Sequence, residues 1–273
     1  MGQKIAIGLV TFNPNENLLS RLSLATRSGF RVFIFDNSPE KALIRDYCKN
    51  LTNCHYITCG KNVGLGFGIS SVCSNAYYDG NSALVFFDQD TGFNIDTLDF
   101  INEFYNSKKN AITDYSSVVF NSKRINSINY NDKFTVSDVL MSINSGSLYL
   151  LENLNKLDWF NESYFVDCVD YEFCLRSNNL NFKIGECCYT SGFDHITEQD
   201  DVKYKIFGKE VMMRKYSSQR FFSTTLSSIR IFFSSIKTLN IRFAIAILRS
   251  LIIYLSFQLT VRIVNIFNKS NDK

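Results

Sequence analysis

The chain has 273 residues, of which 45% are hydrophobic, 15% aromatic and 20% charged, enough for one α/β domain with an extension or for two small domains. Its 25 Phe and 14 Tyr supply a packed core and exclude wholesale disorder, while only 2 Pro and 13 Gly exclude collagen-like and Pro-rich architectures. The net charge of +3 hides a division: residues 203–273 carry 13 Lys and Arg against 2 acidic residues, leaving 16 basic against 24 acidic in residues 1–202. An acidic body joined to a basic tail requires a physical reason.

The first 90 residues alternate between strand and helix patterns. Ile5 to Val10 reads as a buried strand, followed by a turn at Asn13 and Pro14 and by a helix over 17–27 with Leu18, Leu19, Leu22 and Ala25 at helical spacing. A second strand over 31–35 ends in the loop-forming Asp36-Asn37-Ser38-Pro39. A helix over 42–49, a strand over 55–58 and a helix over 69–78 follow, and then the apolar strand 83–87, which stops at Asp88-Gln89-Asp90. This order predicts a mostly parallel sheet with helices on both faces and polar clusters at the strands' carboxyl ends, where such sheets bind ligands. Beyond a helix at 97–105, residues 106–135 are rich in Asn, Ser and Lys around Val118 to Phe120, a pattern that suits either a sheet edge with a mobile loop or ordinary surface. A strand at 143–150 and helices at 153–160 and 169–178 complete the body.

The tail differs. Residues 243–259 hold 17 residues with one charge, Arg249, at the lower limit of bilayer-spanning length. Flanking Arg242 and Arg262 suit anionic headgroups, so the expected role is a helical extension lying on a membrane surface; a packed helical subdomain and a true span are the alternatives. An aliphatic tail lacks the Lys/Arg stripe of a nucleic-acid binder, and no nucleic-acid partner is expected. The eight cysteines form no C-x-x-C pair, and the MGQKIAIGLV start has neither a signal-peptide pattern nor, with Ala6 at the sixth position, a myristoylation pattern. Reduced thiols in a cytosolic compartment are expected.

Three constellations carry chemistry. Asp88-x-Asp90 at the end of a buried strand suits a hard divalent cation shared with a diphosphate, although the same pair also suits a turn that caps the next helix. Asp167-x-x-Asp170-x-Glu172-x-x-x-Arg176 puts two acids at a helix start and an ion pair at i,i+4. One of those aspartates can serve as a general base, but spacing does not separate that role from favourable interaction with the helix dipole. His195, in Ser191-Gly192-Phe193-Asp194-His195, is one of only two histidines. The turns Asn144-Ser145-Gly146-Ser147 and Lys61-Asn62-Val63-Gly64-Leu65-Gly66 are small enough for backbone to approach a ligand. The latter matches neither a P-loop nor G-x-G-x-x-G, which argues against an ATPase or a dinucleotide-binding enzyme.

In order, VTFN (10–13), FDNS (35–38), KNVGLGFG (61–68), FFDQDT (86–91), INSGSLYL (143–150) and FVDCVDYEFCLR (165–176) resemble the family 2 glycosyltransferases, in particular the rhamnosyltransferase-like branch of bacterial O-antigen and polysaccharide assembly. The resemblance covers about residues 4–200 and implies a GT-A fold in a domain over 1–202, with 203–273 as the membrane-associating extension. It implies inverting transfer of a sugar from a nucleotide-diphospho-sugar, dTDP-rhamnose or alternatively a UDP-hexose, to a lipid-diphosphate-linked saccharide at the cytoplasmic face of the inner membrane. Carried over by position, Thr11, Asn13, Asp36, Asn62, Gly64 and Asp88 would line the nucleotide-sugar pocket. Asp88, Asp90 and His195 would hold Mg²⁺ or Mn²⁺, and Ser145 and Gly146 would face the acceptor. Asp170 would be the catalytic base, with Asp167 competing for that role. Phe173 stands where the family more usually has Trp. A non-catalytic membrane-docking protein with the same fold is the rival from a different class.

Overall fold

A computed structural model describes residues 5–39, 43–121, 133–187, 194–195, 202–206 and 209–271. The chain divides into two compact units, Met1–Ile196 and Thr197–Lys273, against an expected boundary at 202/203.

In the first unit, β1 (Ile5–Thr11), α1 (Asn17–Arg27), β2 (Arg31–Asp36), α2 (Leu43–Lys49), β3 (Cys54–Thr58), α3 (Leu65–Tyr78) and β4 (Ala83–Asp88) follow the expected alternation. They continue into β5 (Thr91–Gly92), α4 (Ile95–Lys108), β6 (Tyr115–Phe120), β7 (Val136–Val139), β8 (Ser147–Leu150), α5 (Leu151–Lys156), α6 (Val169–Asn179), β9 (Lys183–Cys187) and β10 (Asp194–His195). Eight strands make one sheet in the order β3-β2-β1-β4-β8-β6-β9-β7. Four of its pairings are parallel and three antiparallel, so the sheet is mixed, and the antiparallel part lies on the β8 side of β4.

Every residue of β1 is buried, as a central strand covered on both faces requires. Ile5, Ile7 and Leu9 share one core with Leu18 and Leu22 of α1, Ile44 and Cys48 of α2, and Leu98, Ile101 and Phe104 of α4. The alternate residues point the other way, to α3: a Cβ on Gly8 would meet Val72, and one on Gly68 would meet Val10. On that same side Tyr149 of β8 takes Phe160 and Phe173 edge-on at 5.3 and 5.4 Å, with those two rings stacked at 4.8 Å. Phe173 is therefore a core residue of α6.

Several expectations change. Val118 to Phe120 belongs to β6, which is buried throughout and lies between β8 and β9 in the sheet's interior, not at its edge. The mobile loop expected after it falls mostly outside the described residues. Helix α3 begins at Leu65, four residues before the predicted start, because Gly66 and Gly68 are needed for close packing and lie inside the helix.

The second unit is not purely helical. It opens with an antiparallel hairpin of β11 (Val202–Ile206) and β12 (Lys209–Met213), registered Val202 to Met213. Two long helices follow, α7 (Ser218–Lys237) and α8 (Ile241–Asn271).

Candidate active site

Because β1, β2 and β4 are parallel neighbours, their carboxyl ends bring Thr11, Asp36 and Asp88 to one edge of the sheet. The loop into β8 arrives at the same edge from the antiparallel direction, so Ser145 and Gly146 meet the Asp88-Gln89-Asp90 turn there.

That turn is held from three sides. The Asp88 N–H donates to Ser145 Oγ at 3.0 Å, and the Ser145 and Thr91 hydroxyls bond at 2.6 Å. Gln89 Oε1 accepts the Phe12 N–H at 2.8 Å, tying the turn to the loop after β1. From α1, Arg21 donates to the carbonyls of Gln89, at 2.6 Å, and of Thr91. Arg21 was not legible as a site residue; its only sequence signal is a cation on the polar side of an amphipathic helix.

The turn's carboxylates have company from a distant part of the chain. Burial pushes the Asp88 carboxyl up to about 7, reinforced by the charges of Asp90 and then Asp170. Burial also pushes Asp170 up to about 6; N–H bonds, including one from Tyr171 at 2.9 Å, oppose the rise, and the charge of Asp167 adds to it. Both residues are half-buried. Asp170 is carried in by the first turn of α6, which follows Cys168 in the left-handed conformation (φ +66°). A non-glycine residue there is locally strained.

The rest of the acidic motif is structural. Arg176 Nε donates to Glu172 Oε1 at 2.8 Å, and its other nitrogens cap the carbonyls of Trp159, at 2.7 Å, and Leu157. Asp170 lies near Asp88 with the charge of Asp167 beside it, whereas Glu172 and Arg176 fasten α6 to the segment after α5.

The expected nucleotide-side residues separate into two layers. Asn13 and Asn62 are exposed at the sheet's edge; the Asn13 N–H donates to Ser38 Oγ at 2.8 Å, and Asn62 Oδ1 accepts the Gly64 N–H at 3.0 Å. Beneath them, Asp36 is fully buried and accepts from Thr11 Oγ1 (3.2 Å), Ser38 N (3.0 Å), Ser38 Oγ (2.6 Å) and Tyr56 OH (2.8 Å). The buried Thr11 and Asp36 thus brace the ends of β1, β2 and β3, and only the Tyr56 side of the carboxylate borders a less buried group. Burial first, then the Asp36 carboxylate, drives the Tyr56 phenol upward, so it stays a donor.

Three expected contacts are reassigned by packing. A Cβ on Gly64 would lie 2.6 Å from the Phe165 carbonyl oxygen, so the lack of a side chain there admits protein backbone. Ser145 is buried with its hydroxyl engaged by the turn. Gly146 is buried at φ +80°, donating to the Phe86 carbonyl at 2.7 Å and accepting from Phe120 N at 2.9 Å. These two hold the turn in place and are not open to an acceptor.

A cation is best judged by its donors. Among the described residues no group of three or more His, Cys, Asp or Glu side chains forms a closed shell. Asp88 and Asp90 supply two oxygen donors with mutual repulsion to relieve, which fits a hard divalent ion that completes its shell with phosphate and water. For His195 only the backbone is described: it pairs with Thr91, the residue after Asp90.

No protein-family model matches the chain, and no curated protein matches it. Solved structures do. Residues 1–349 of Staphylococcus aureus TarS align at 18% identity and a TM-score of 0.52, covering 71% of this chain and 60% of that one. A larger TarS structure aligns at 16% identity and a TM-score of 0.54, covering 84% and 39%. The 1–349 fragment in complex with UDP-GlcNAc aligns at 16% identity and 0.51, covering 84% and 66%, and another holds UDP. The chain spans about 60% of the length of the first of these. At such identity the likeness concerns the fold, and the fold is the mixed α/β arrangement of GT-A type.

Proposed function

We propose that the protein is an inverting glycosyltransferase that moves a sugar from a nucleoside-diphospho-sugar to a hydroxyl of a saccharide acceptor. The observation that carries this reading is the convergence of Asp88 and Asp90 with Asp170, some 80 residues along the chain, at the carboxyl edge of a GT-A type sheet. Asp170 accepts the proton of the acceptor hydroxyl as its oxygen bonds to the anomeric carbon; the bond from that carbon to the diphosphate breaks, and the diphosphate leaves with the electron pair. A single displacement from the opposite face inverts the configuration. Burial raises the proton affinity of Asp170, which suits a base. Asp167, three residues earlier, adds negative charge beside it.

Asp88 and Asp90 would hold Mg²⁺ or Mn²⁺, with His195 as a further ligand. When bound, such an ion offsets charge developing on the departing diphosphate. Ser145, Thr91, Gln89 and Arg21 keep the carboxylates aimed by fixing their turn. Asn13 and Asn62 are the exposed groups offered to the nucleotide, above the braced Thr11 and Asp36.

For the donor, UDP and UDP-GlcNAc on the TarS fragment support a uridine nucleotide over the dTDP-rhamnose that the sequence motifs suggest. For the acceptor, we place the reaction on a lipid-diphosphate-linked saccharide of cell-surface polysaccharide assembly, at the cytoplasmic face of the membrane. Screening purified protein against UDP-GlcNAc, UDP-glucose, UDP-galactose and dTDP-rhamnose, with released nucleoside diphosphate as the readout, tests the reading. Turnover of one donor that is lost in Asp170→Asn supports it. No release from any donor, with or without Mn²⁺ and acceptor extracts, overturns it.

A further inference from the structure

The second unit offers a surface that the transfer reaction does not use. Its helices α7 and α8 form an antiparallel hairpin joined by Thr238–Leu239–Asn240. The turn is closed by Asn240 N to Ser235 O at 2.8 Å and by Phe243 N to Asn240 Oδ1 at 3.2 Å. The open end is tied by Gln258, which donates to Arg214 O at 2.8 Å and accepts from Tyr216 N at 3.2 Å, and by the Phe221 ring stacked on Tyr254. The inner seam sets Ser228, Ile231 and Ser235 of α7 against Phe243, Ala244, Ile247, Leu251, Gln258 and Val261 of α8, all buried. Small serines let the backbones approach, and the bulk comes from α8.

Each helix also carries an apolar stripe that is exposed among the described residues. On α7 it is Phe222, Leu226, Ile229, Phe233 and Ile236, at steps of four and three; Phe222 is 68% and Phe233 63% exposed. On α8 it runs through Ile241, Ile245, Leu248, Ile252, Leu259 and Ile263, with Ile245 64% exposed. At about 100° per residue both stripes are rotated from the inner seam in the same sense, which in an antiparallel pair puts them on one side of the hairpin. Leu239, at the tip, is 83% exposed.

The charges follow the stripes. Arg230, Lys237, Arg242 and Arg249 each come directly after a stripe residue: Ile229, Ile236, Ile241 and Leu248. Each cation is therefore about 100° further round its helix, along the outer flank of the apolar face. From Val211 to Asn271 there is no Asp or Glu at all. An apolar slab edged by cations and free of anions matches one occupant, the acyl–headgroup boundary of an anionic bilayer, where arginine and lysine reach the phosphates while the stripe enters the acyl region.

We infer that the α7–α8 hairpin lies in the plane of an anionic membrane leaflet, both stripes inward. Ile241–Val264 is long and apolar enough to span a bilayer, with a mean hydropathy of 1.8. Yet α8 packs through its buried Phe243, Ala244, Ile247 and Leu251 against α7, whose serine-rich polar side would then be drawn into hydrocarbon. A second copy of the chain is disfavoured by charge, since this segment has no acidic residue and a contact between stripes would bring cationic flanks together with nothing to offset them. The inference stands whatever sugar or acceptor the other unit takes.

The test is flotation of the full-length protein with vesicles of phosphatidylcholine, or of phosphatidylcholine with about 30% phosphatidylglycerol. The parent should partition at least about tenfold better into the anionic vesicles, and high salt should weaken the binding. A Leu226→Ser, Phe233→Ser, Ile245→Ser, Ile252→Ser variant should lose about tenfold or more while keeping parental circular dichroism. Arg230→Gln with Arg242→Gln and Arg249→Gln, which keeps the core intact, should lose the preference for anionic lipid. Equal binding to neutral vesicles, unchanged binding by both variants, or a soluble dimer that the serine variant dissociates would each overturn the inference. Resistance to alkaline carbonate extraction from cell membranes would instead show a span and overturn it too.

Discussion

Ser145 holds Asp88 across 57 residues of sequence: its hydroxyl accepts the Asp88 N–H at 3.0 Å and bonds Thr91 at 2.6 Å. A serine from the loop before β8 thus fixes both ends of the acidic turn that ends β4. Ser145→Ala removes both bonds from a buried site, at a cost of about 1–3 kcal/mol. The variant should remain folded, melt several degrees lower, and lose donor turnover more than donor binding. A variant with parental turnover would free the turn from this dependence.

Asp170→Asn is the sharpest test of the chemistry. It preserves the shape of the α6 start and the Tyr171 N–H contact but removes the proton acceptor. Transfer should fall by about 10²–10⁴-fold with donor affinity within a few-fold of the parent. The same substitution at Asp167 should have the smaller effect. Comparison of kcat and donor Kd in the two variants ranks the two aspartates.

The crowded carboxylates should cost the metal-free protein stability. With its carboxyl raised from 3.8 to about 7, folded Asp88 keeps a proton that the unfolded chain has released. Between those values the folded state binds more protons, so stability in chelator falls as pH rises from about 4 to about 7. Asp88→Asn should therefore raise the melting temperature near pH 7, with the gain vanishing near pH 4, even as activity is lost. In the parent near pH 7, Mn²⁺ should recover the stability. A flat pH profile in chelator would contradict the geometry of the cluster.

Gly66→Ala should reverse the usual sign of a helix substitution. At an open helical position the change stabilises by about 1 kcal/mol. Here the new Cβ would lie 2.6 Å from the Tyr164 carbonyl oxygen and 2.8 Å from that of Asn161, both backbone atoms that cannot swing away. The variant should be destabilised by about 1–3 kcal/mol. The Phe165 segment, and the catalytic aspartates that follow it, should shift as well, which chemical denaturation and donor turnover together report.

The alternation of strands and helices through β4 is legible in the chain alone, because period-two and helical spacings are local and each buried face writes itself into them. So are the acidic pair at a strand end and the unbalanced charge of the tail. Neither needs a partner to be read. Which motif residues are packed and which stay exposed is set by contacts between distant segments. Thr11, Asp36, Gly64, Ser145 and Gly146 lie in ligand-like motifs, yet they brace strand ends, admit the Phe165 backbone or fix the acidic turn. A side chain's direction and its partner across the sheet are not properties of its own segment. The antiparallel insertion of β8 between β4 and β6 is equally non-local, and it delivers Ser145 to Asp88. In the tail, apolar spacing was visible residue by residue. Pairing α7 with α8 decided which side of each helix is spent on packing and left a basic-edged apolar stripe exposed on each.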